Sequence, residues 1–250
     1  MSGARKARIE RAFSLQAGAY DDVAPVQRFA AGRLAERIGQ RASVPPRRIL
    51  EIGCGTGFLS AHLAGMFPES DLLLTDISPS MLKHCRARLG ERHRYQVLDG
   101  EQPEVLTEKF DLIASSLAFQ WFADLRGGVE RLGHLLAPGG CMAFATLGCG
   151  SFTEWRQAHA DFGLPCGAQD YPGAEDFPWP DGFSHRLDDE SVAQLYDNGM
   201  DFARSLKILG AREPAPGHRP LAAGAFRRLL ASLEGGFSVT YHLLYGEIFM

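Results

Sequence analysis

Apolar residues along the chain recur with two different periods. Behind Pro25, the positions Val26, Phe29, Ala30, Leu34 and Ile38 fall three and four apart and predict a helix, which Pro45-Pro46 ends. Short apolar runs then alternate with helical patterns: a strand over 48–53, a helix over 58–67, a strand over 71–76, a helix over 79–89 and a strand over 94–98. Ser78 caps the second of these helices and Pro79 sits in its first turn. The series continues with a strand over 110–116, a helix over 124–136 and, after a Pro138-Gly139-Gly140 turn, a strand over 140–147. Such alternation predicts an α/β fold in which a parallel sheet carries helices on both faces.

After residue 148 the rhythm breaks. Residues 163–188 are rich in Pro, Gly and aromatics, too long for an ordinary connection, and predict a lid or substrate loop. Helical stretches near 189–198, 200–209 and 222–234 follow, and 237–245 reads as a closing strand. The expected organisation is a single domain over 1–250. It comprises an N-terminal helical arm (1–46), a cofactor-binding core (47–148), a lid or substrate region after the fifth strand (149–234) and a C-terminal strand completing the sheet (235–250).

Composition narrows the classes of function. At 250 residues and 45% hydrophobic, the chain can bury a full core. A net charge of -4 argues against general nucleic-acid binding. The charge is uneven: residues 1–48 hold 10 Lys/Arg against 4 Asp/Glu, and 151–250 hold 8 against 14. The arm residues Arg28, Arg33, Arg37 and Arg41 could therefore form a docking face for an acidic partner. Five cysteines without a CxxC pair or metal spacing suit free thiols in a reducing cytosol and give no metal site. No apolar run approaches the roughly 20 residues of a membrane span, and the basic start Arg5-Lys6-Arg8-Arg11 has no apolar segment behind it. The expectation is a cytoplasmic protein that engages neither membrane nor nucleic acid.

The chemistry is concentrated at strand ends. Leu50-Glu51-Ile52-Gly53-Cys54-Gly55-Thr56-Gly57 runs a strand into three alternating glycines, which let backbone approach a ligand closely. A dinucleotide loop would need glycine at position 58, where Phe58 stands, so a ligand without pyrophosphate is favoured. Asp76, ending the second strand, is placed to accept from both hydroxyls of a ribose, and Asp99, before Gly100 at the end of the third, can accept from an adenine amine. Glycines, then Asp76, then Asp99 resemble the class I S-adenosylmethionine-dependent methyltransferases over roughly 48–147. That resemblance implies a Rossmann-like fold with a mostly parallel seven-stranded sheet. It also implies that Gly53, Gly55 and Gly57 lie along the methionine portion of the cofactor and that Glu51 binds its ammonium through water. Ile77 would flank the adenine, Asp99 and Gly100 would read its edge, and Ser115 and Ser116 would offer backbone carbonyls. Cys54 reads as a small packing residue, since no His/Asp pair is evident to activate it.

Further motifs concern the methyl acceptor. Ser116-Leu117-Ala118-Phe119-Gln120-Trp121-Phe122 lacks the Asn/Asp-Pro-Pro-aromatic motif common in base methylation. Ser-Ser-x-x-x-Gln-Trp combines with Phe13-x3-Ala17-x2-Tyr20-Asp21-x2-Ala24-x2-Gln27, Asp76-Ile77-Ser78-Pro79-Ser80-Met81-Leu82, Phe144-Ala145-Thr146-Leu147, Ser151-Phe152-x-Glu154, Leu206-Lys207-x2-Gly210-Ala211 and Thr240-Tyr241-x3-Tyr245. Together these resemble the BioC family, the malonyl-acyl-carrier-protein O-methyltransferases of biotin synthesis. The sequence departs from that pattern at Arg212, where Asn or His is expected, and in a short C-terminal part, so the lid is where its geometry should differ. The resemblance implies methylation of the free carboxylate of a malonyl thioester, on acyl-carrier protein or CoA, with no metal.

A carboxylate is already ionised at neutral pH, so positioning groups rather than a general base are expected. Tyr20, Gln120 and Trp121 are the candidates, with Gln27, Arg204 and Lys207 toward the substrate and one of the two cations gripping its carboxylate. Two other readings remain open on sequence: a methyltransferase for free di- or tricarboxylates, similar to aconitate methyltransferases, and a cofactor-binding assembly factor that methylates nothing.

Overall fold

The computed structural model describes residues 2–42, 44–209 and 218–250. Gly210, Ala211 and Arg212, singled out above, lie outside them. The arm holds two helices, α1 (Ser2–Gln16) and α2 (Pro25–Arg41), joined by a short 3-10 turn over Asp21–Val23. The core follows as β1 (Arg48–Ile52), α3 (Phe58–Met66), β2 (Asp71–Asp76), α4 (Pro79–Leu89), β3 (Arg94–Val97), β4 (Phe110–Ser116), α5 (Leu125–Gly133) and β5 (Leu136–Leu147). Then come α6 (Thr153–Asp161), β6 (Ser184–Asn198), α7 (Gly199–Ile208), α8 (Ala223–Ala231) and β7 (Glu234–Phe249).

One seven-stranded sheet results, ordered β3-β2-β1-β4-β5-β7-β6. Strands β1 to β5 pair in parallel, and β7 runs antiparallel between β5 and β6. The reversal between β1 and β4 opens a crevice beyond the carboxyl ends of these strands, where α/β sheets bind ligands. Apolar side chains fill both faces. Val26, Ala30 and Leu34 of α2 pack with Leu59 and Leu63 of α3 on one side. Val129 and Leu132 of α5 pack with Leu50, Ile113 and Phe144 on the other. No helix among the described residues is long and apolar enough to cross a membrane.

Three expectations need correction. Residues 189–198 belong to β6, not to a helix, and pair with β7 along almost their whole length. Val192 and Tyr196 imitate a helical interval, and acids occupy inward positions that would otherwise display the two-residue period. Asp188 and Glu190 are half-buried because α2 meets them with cations: Arg37 at 2.7 Å and Arg33 at 3.3 Å. The second correction follows from these pairs. Arg41 bonds Glu247 at 2.8 Å, so Arg33, Arg37 and Arg41 are each met by a carboxylate of the chain's own C-terminal region rather than left unpaired, while the exposed Arg28 donates to the Asp21 carbonyl of the arm. Third, β5 begins at Leu136, before the Pro-Gly-Gly turn, which is absorbed as a register shift between Phe110 and Leu112 of the neighbouring β4. Helix α6 was not foreseen at all.

Candidate active site

The glycine loop turns where β1 ends. Gly53 has φ +68° and a Cβ there would lie 2.4 Å from the Ala118 Cβ, so a bare backbone is required. Gly100 is needed for another reason: a Cβ would meet Ile52 Cγ2 at 2.2 Å. Across the loop, Asp76 accepts from the Gly55 amide (2.9 Å) through Oδ2 and from the Ser78 amide (2.8 Å) through Oδ1. Each oxygen keeps acceptor capacity for a further donor. Burial pushes the Asp76 carboxyl up to about 6, against the pull of those two amides.

A cavity of about 710 Å³, partly open to solvent, lies over these groups. Of the residues expected to bind the cofactor, Gly53, Gly55, Asp76, Ile77, Asp99, Gly100 and Ser116 line it; Tyr20 and Trp121 line it from the arm and from the turn after β4. Glu51, Gly57 and Ser115 do not. Gly57 backs onto Cys85 of α4, and the Ser115 hydroxyl donates to the Ile52 carbonyl at 2.9 Å. Glu51 is buried behind the loop with its Oε2 unpartnered, and burial holds its carboxyl well above the usual range, with Cys85 and Asp76 adding to the shift and Ser60 opposing it.

Helix α1 supplies groups that sequence reasoning missed. Lys6, Ile9 and Phe13 lie three and four residues apart, on one face, and roof the cavity. Lys6 bonds Asp99, and Glu101 at 2.8 Å. Burial would lower its ammonium, but the two carboxylates outweigh it and the group is raised. Glu101 also accepts from the Ala123 and Asp124 amides, at 3.0 and 2.9 Å. The hints of this roof were the basic start, whose charges hid Ile9 and Ala12, and Phe13 at the head of the arm motif, to which no role was assigned.

A second chamber adjoins the first and shares Phe13, Tyr20, Leu117 and Trp121 with it. Gln27 and Gln120 enter here, with Leu147, Phe152, Tyr171 and Tyr241 around them. Gln120 donates to the Leu117 carbonyl at 2.6 Å and accepts from Thr146, whereas Gln27 Oε1 is buried and unpartnered. The Ser116 hydroxyl is also buried without a partner. Leu117, a non-glycine residue at φ +52°, holds this corner in a strained conformation. Burial, then Asp76 and Asp21, raise the Tyr20 phenol, so it stays protonated. Trp121 stands edge-on to Phe13, 5.5 Å between ring centres. The nominated cations are elsewhere: Arg204 is 68% exposed and pairs with Asp201, and Lys207 is exposed on α7. Neither lines either chamber.

Comparison with known proteins agrees with this arrangement. Residues 50–142 match a family model described as a methyltransferase domain. A malonyl-[acyl-carrier protein] O-methyltransferase of Magnetococcus marinus is 41% identical over 98% of this chain and 93% of its own length. A biotin biosynthesis bifunctional protein BioCD of Bordetella avium is 43% identical over 96% of this chain and 51% of that one. In fold, the chain resembles the N-methyltransferase NodS of Bradyrhizobium japonicum, solved with S-adenosyl-L-homocysteine, with a TM-score of 0.55, 16% identity and coverage of 97% and 98%. A strand order reversed at β1/β4, a glycine loop opposite two strand-end aspartates and near full-length identity to such relatives coincide in one molecule: the chain belongs to the malonyl-[acyl-carrier protein] O-methyltransferase family of class I methyltransferases.

Proposed function

We propose that this chain methylates the free carboxylate of a malonyl thioester carried by an acyl-carrier protein, with S-adenosylmethionine as methyl donor, in biotin synthesis. The observation that carries the reading is the composition of the second chamber. Its described lining holds aromatics, aliphatics, Gln27 and Gln120, and no Asp, Glu, His, Lys or Arg. Such a chamber suits an acceptor that arrives ionised and needs no proton removed.

The residues present fit the cofactor. Bare backbone at Gly53 permits close approach, Asp76 has acceptor capacity left for a ribose, and Asp99 stands at the end of the third strand for an adenine amine. The orphaned Glu51 oxygen suits a nearby cation, which would return that carboxyl to its ionised form. When bound, the cofactor supplies an electrophilic methyl group on a sulfonium.

The chain's own groups then orient and dehydrate the acceptor. Tyr20 keeps its proton and can donate to a carboxylate oxygen. The Gln27 carboxamide, whose Oε1 is unpartnered, can turn its NH2 the same way. Gln120, fixed by Leu117 and Thr146, and the Trp121 ring bound the space and exclude water, which strengthens every polar contact inside it.

An assay of labelled methyl transfer tests the reading. Malonyl carrier protein should accept label into a base-labile ester, while free malonate and tricarboxylates should not. Transfer to the free acids and not to the thioester would overturn it. Expression in a biotin auxotroph lacking the corresponding step should restore growth.

A further inference from the structure

A groove of about 1150 Å³, open to solvent, continues from the second chamber and shares Trp121, Phe152, Tyr171 and Leu206 with it. Trp121 thus borders all three spaces. The groove runs between the 167–171 segment and the 218–226 stretch leading into α8, with Trp155 and His159 of α6 in its wall.

Two further observations say what fits. His159 is buried, and its Nδ1 lies 2.8 Å from the Trp155 carbonyl, which accepts from an Nδ1–H. Burial, and the neighbouring His218, keep the ring neutral. Its Nε2 is therefore an acceptor, matched to an amide N–H rather than to a carbonyl or an anion, in a wall that is largely aromatic and aliphatic and also carries Gln169, Tyr171 and His218. Arg219 stands between the lining residues His218 and Pro220, and Arg228 is on α8, the helix that carries the lining residue Phe226. Both are exposed, and neither has a carboxylate partner among the described residues. This contrasts with the arm, whose arginines meet acids of their own chain.

We propose that this groove takes the pantetheine arm of the acyl-carrier protein, with His159 Nε2 accepting from an arm amide and Arg219 and Arg228 engaging the arm's phosphate and the carrier's acidic surface. The proposal rests on the malonyl-thioester reading and deepens it. A linear, amide-bearing chain matches a mostly apolar wall with a few polar groups along it, and a phosphodiester at its far end matches the exposed Arg219 between the lining residues His218 and Pro220.

The test compares wild type with two variants, Arg219→Glu combined with Arg228→Glu, and Leu221→Trp, which narrows the groove. Each is assayed on malonyl carrier protein and on malonyl-pantetheine, which lacks phosphate and protein. Binding of holo- and apo-carrier protein is measured by calorimetry alongside. The charge reversal should raise KM for malonyl carrier protein at least tenfold at low salt, with kcat and the malonyl-pantetheine KM unchanged. It should also weaken holo-carrier binding. Leu221→Trp should raise KM for both substrates, while S-adenosylhomocysteine binding shows that the fold is kept. An active wild type whose carrier KM and carrier affinity survive the charge reversal would overturn the groove and leave the function standing. A folded wild type that methylates no malonyl thioester would overturn both.

Discussion

Asp76 faces opposing demands. Its two bonds to the Gly55 and Ser78 amides favour the ionised form, yet burial outweighs them and pushes it up to about 6. The folded value lies above the ordinary 3.8, so the folded state holds the proton longer than the unfolded chain does. Stability of the ligand-free protein owed to this group is therefore full below pH 4 and declines as pH rises to about 6. Ribose binding to an ionised acceptor should grow over the same window. Calorimetric affinity for S-adenosylhomocysteine is expected to fall as pH drops below about 6, and Asp76→Ala should cost about 1–3 kcal/mol at pH 7.5 and abolish that dependence. Unchanged affinity in the variant would remove the ribose role. Asp76 and Asp99 were legible because each closes a strand next to a recognisable turn. Lys6 and Glu101 were not, since their meaning arises only where α1 crosses the third strand's end.

At the scale of elements, helix α4 shows how local signals and long-range contacts combine. Ser78 and Pro79 announce its start, and the Ser78 hydroxyl accepts from the Met81 amide at 3.2 Å. The same oxygen meets the Ser14 hydroxyl of α1 at 2.8 Å, tying the roof to the core. Ser78→Ala should destabilise the protein by about 1 kcal/mol, read as a lower denaturation midpoint at unchanged slope. A midpoint equal to wild type would show that the cap is replaced. Strand β6 is the opposite case. Its alternation is genuine, with even-numbered positions turned inward, but two of those positions are acids whose cations lie on α2, some 150 residues earlier. No local window contains both partners.

Across the whole molecule, part of the charge asymmetry is met inside the chain. Basic α2 lies against the outer strands of the sheet, and Arg37 both pairs with Asp188 and stacks over the Tyr245 ring at 4.5 Å. Such half-exposed pairs contribute modestly to stability and are weakened by salt. Arg33→Glu with Arg37→Glu should therefore lower the melting temperature at low salt, through repulsion from Glu190 and Asp188, while leaving KM for carrier-linked substrate at the wild-type value. A raised KM would return docking to the arm.

The sequence by itself determined the parallel core, the glycine loop with two aspartates at neighbouring strand ends, and the family, because each is written in contiguous residues whose period or spacing has a local physical cause. Tertiary structure decided which polar groups line the two chambers, that α1 roofs the first of them, and that β6 joins the sheet. Those outcomes depend on residues far apart in the chain that become neighbours only when the apolar faces of arm, sheet and lid are buried together.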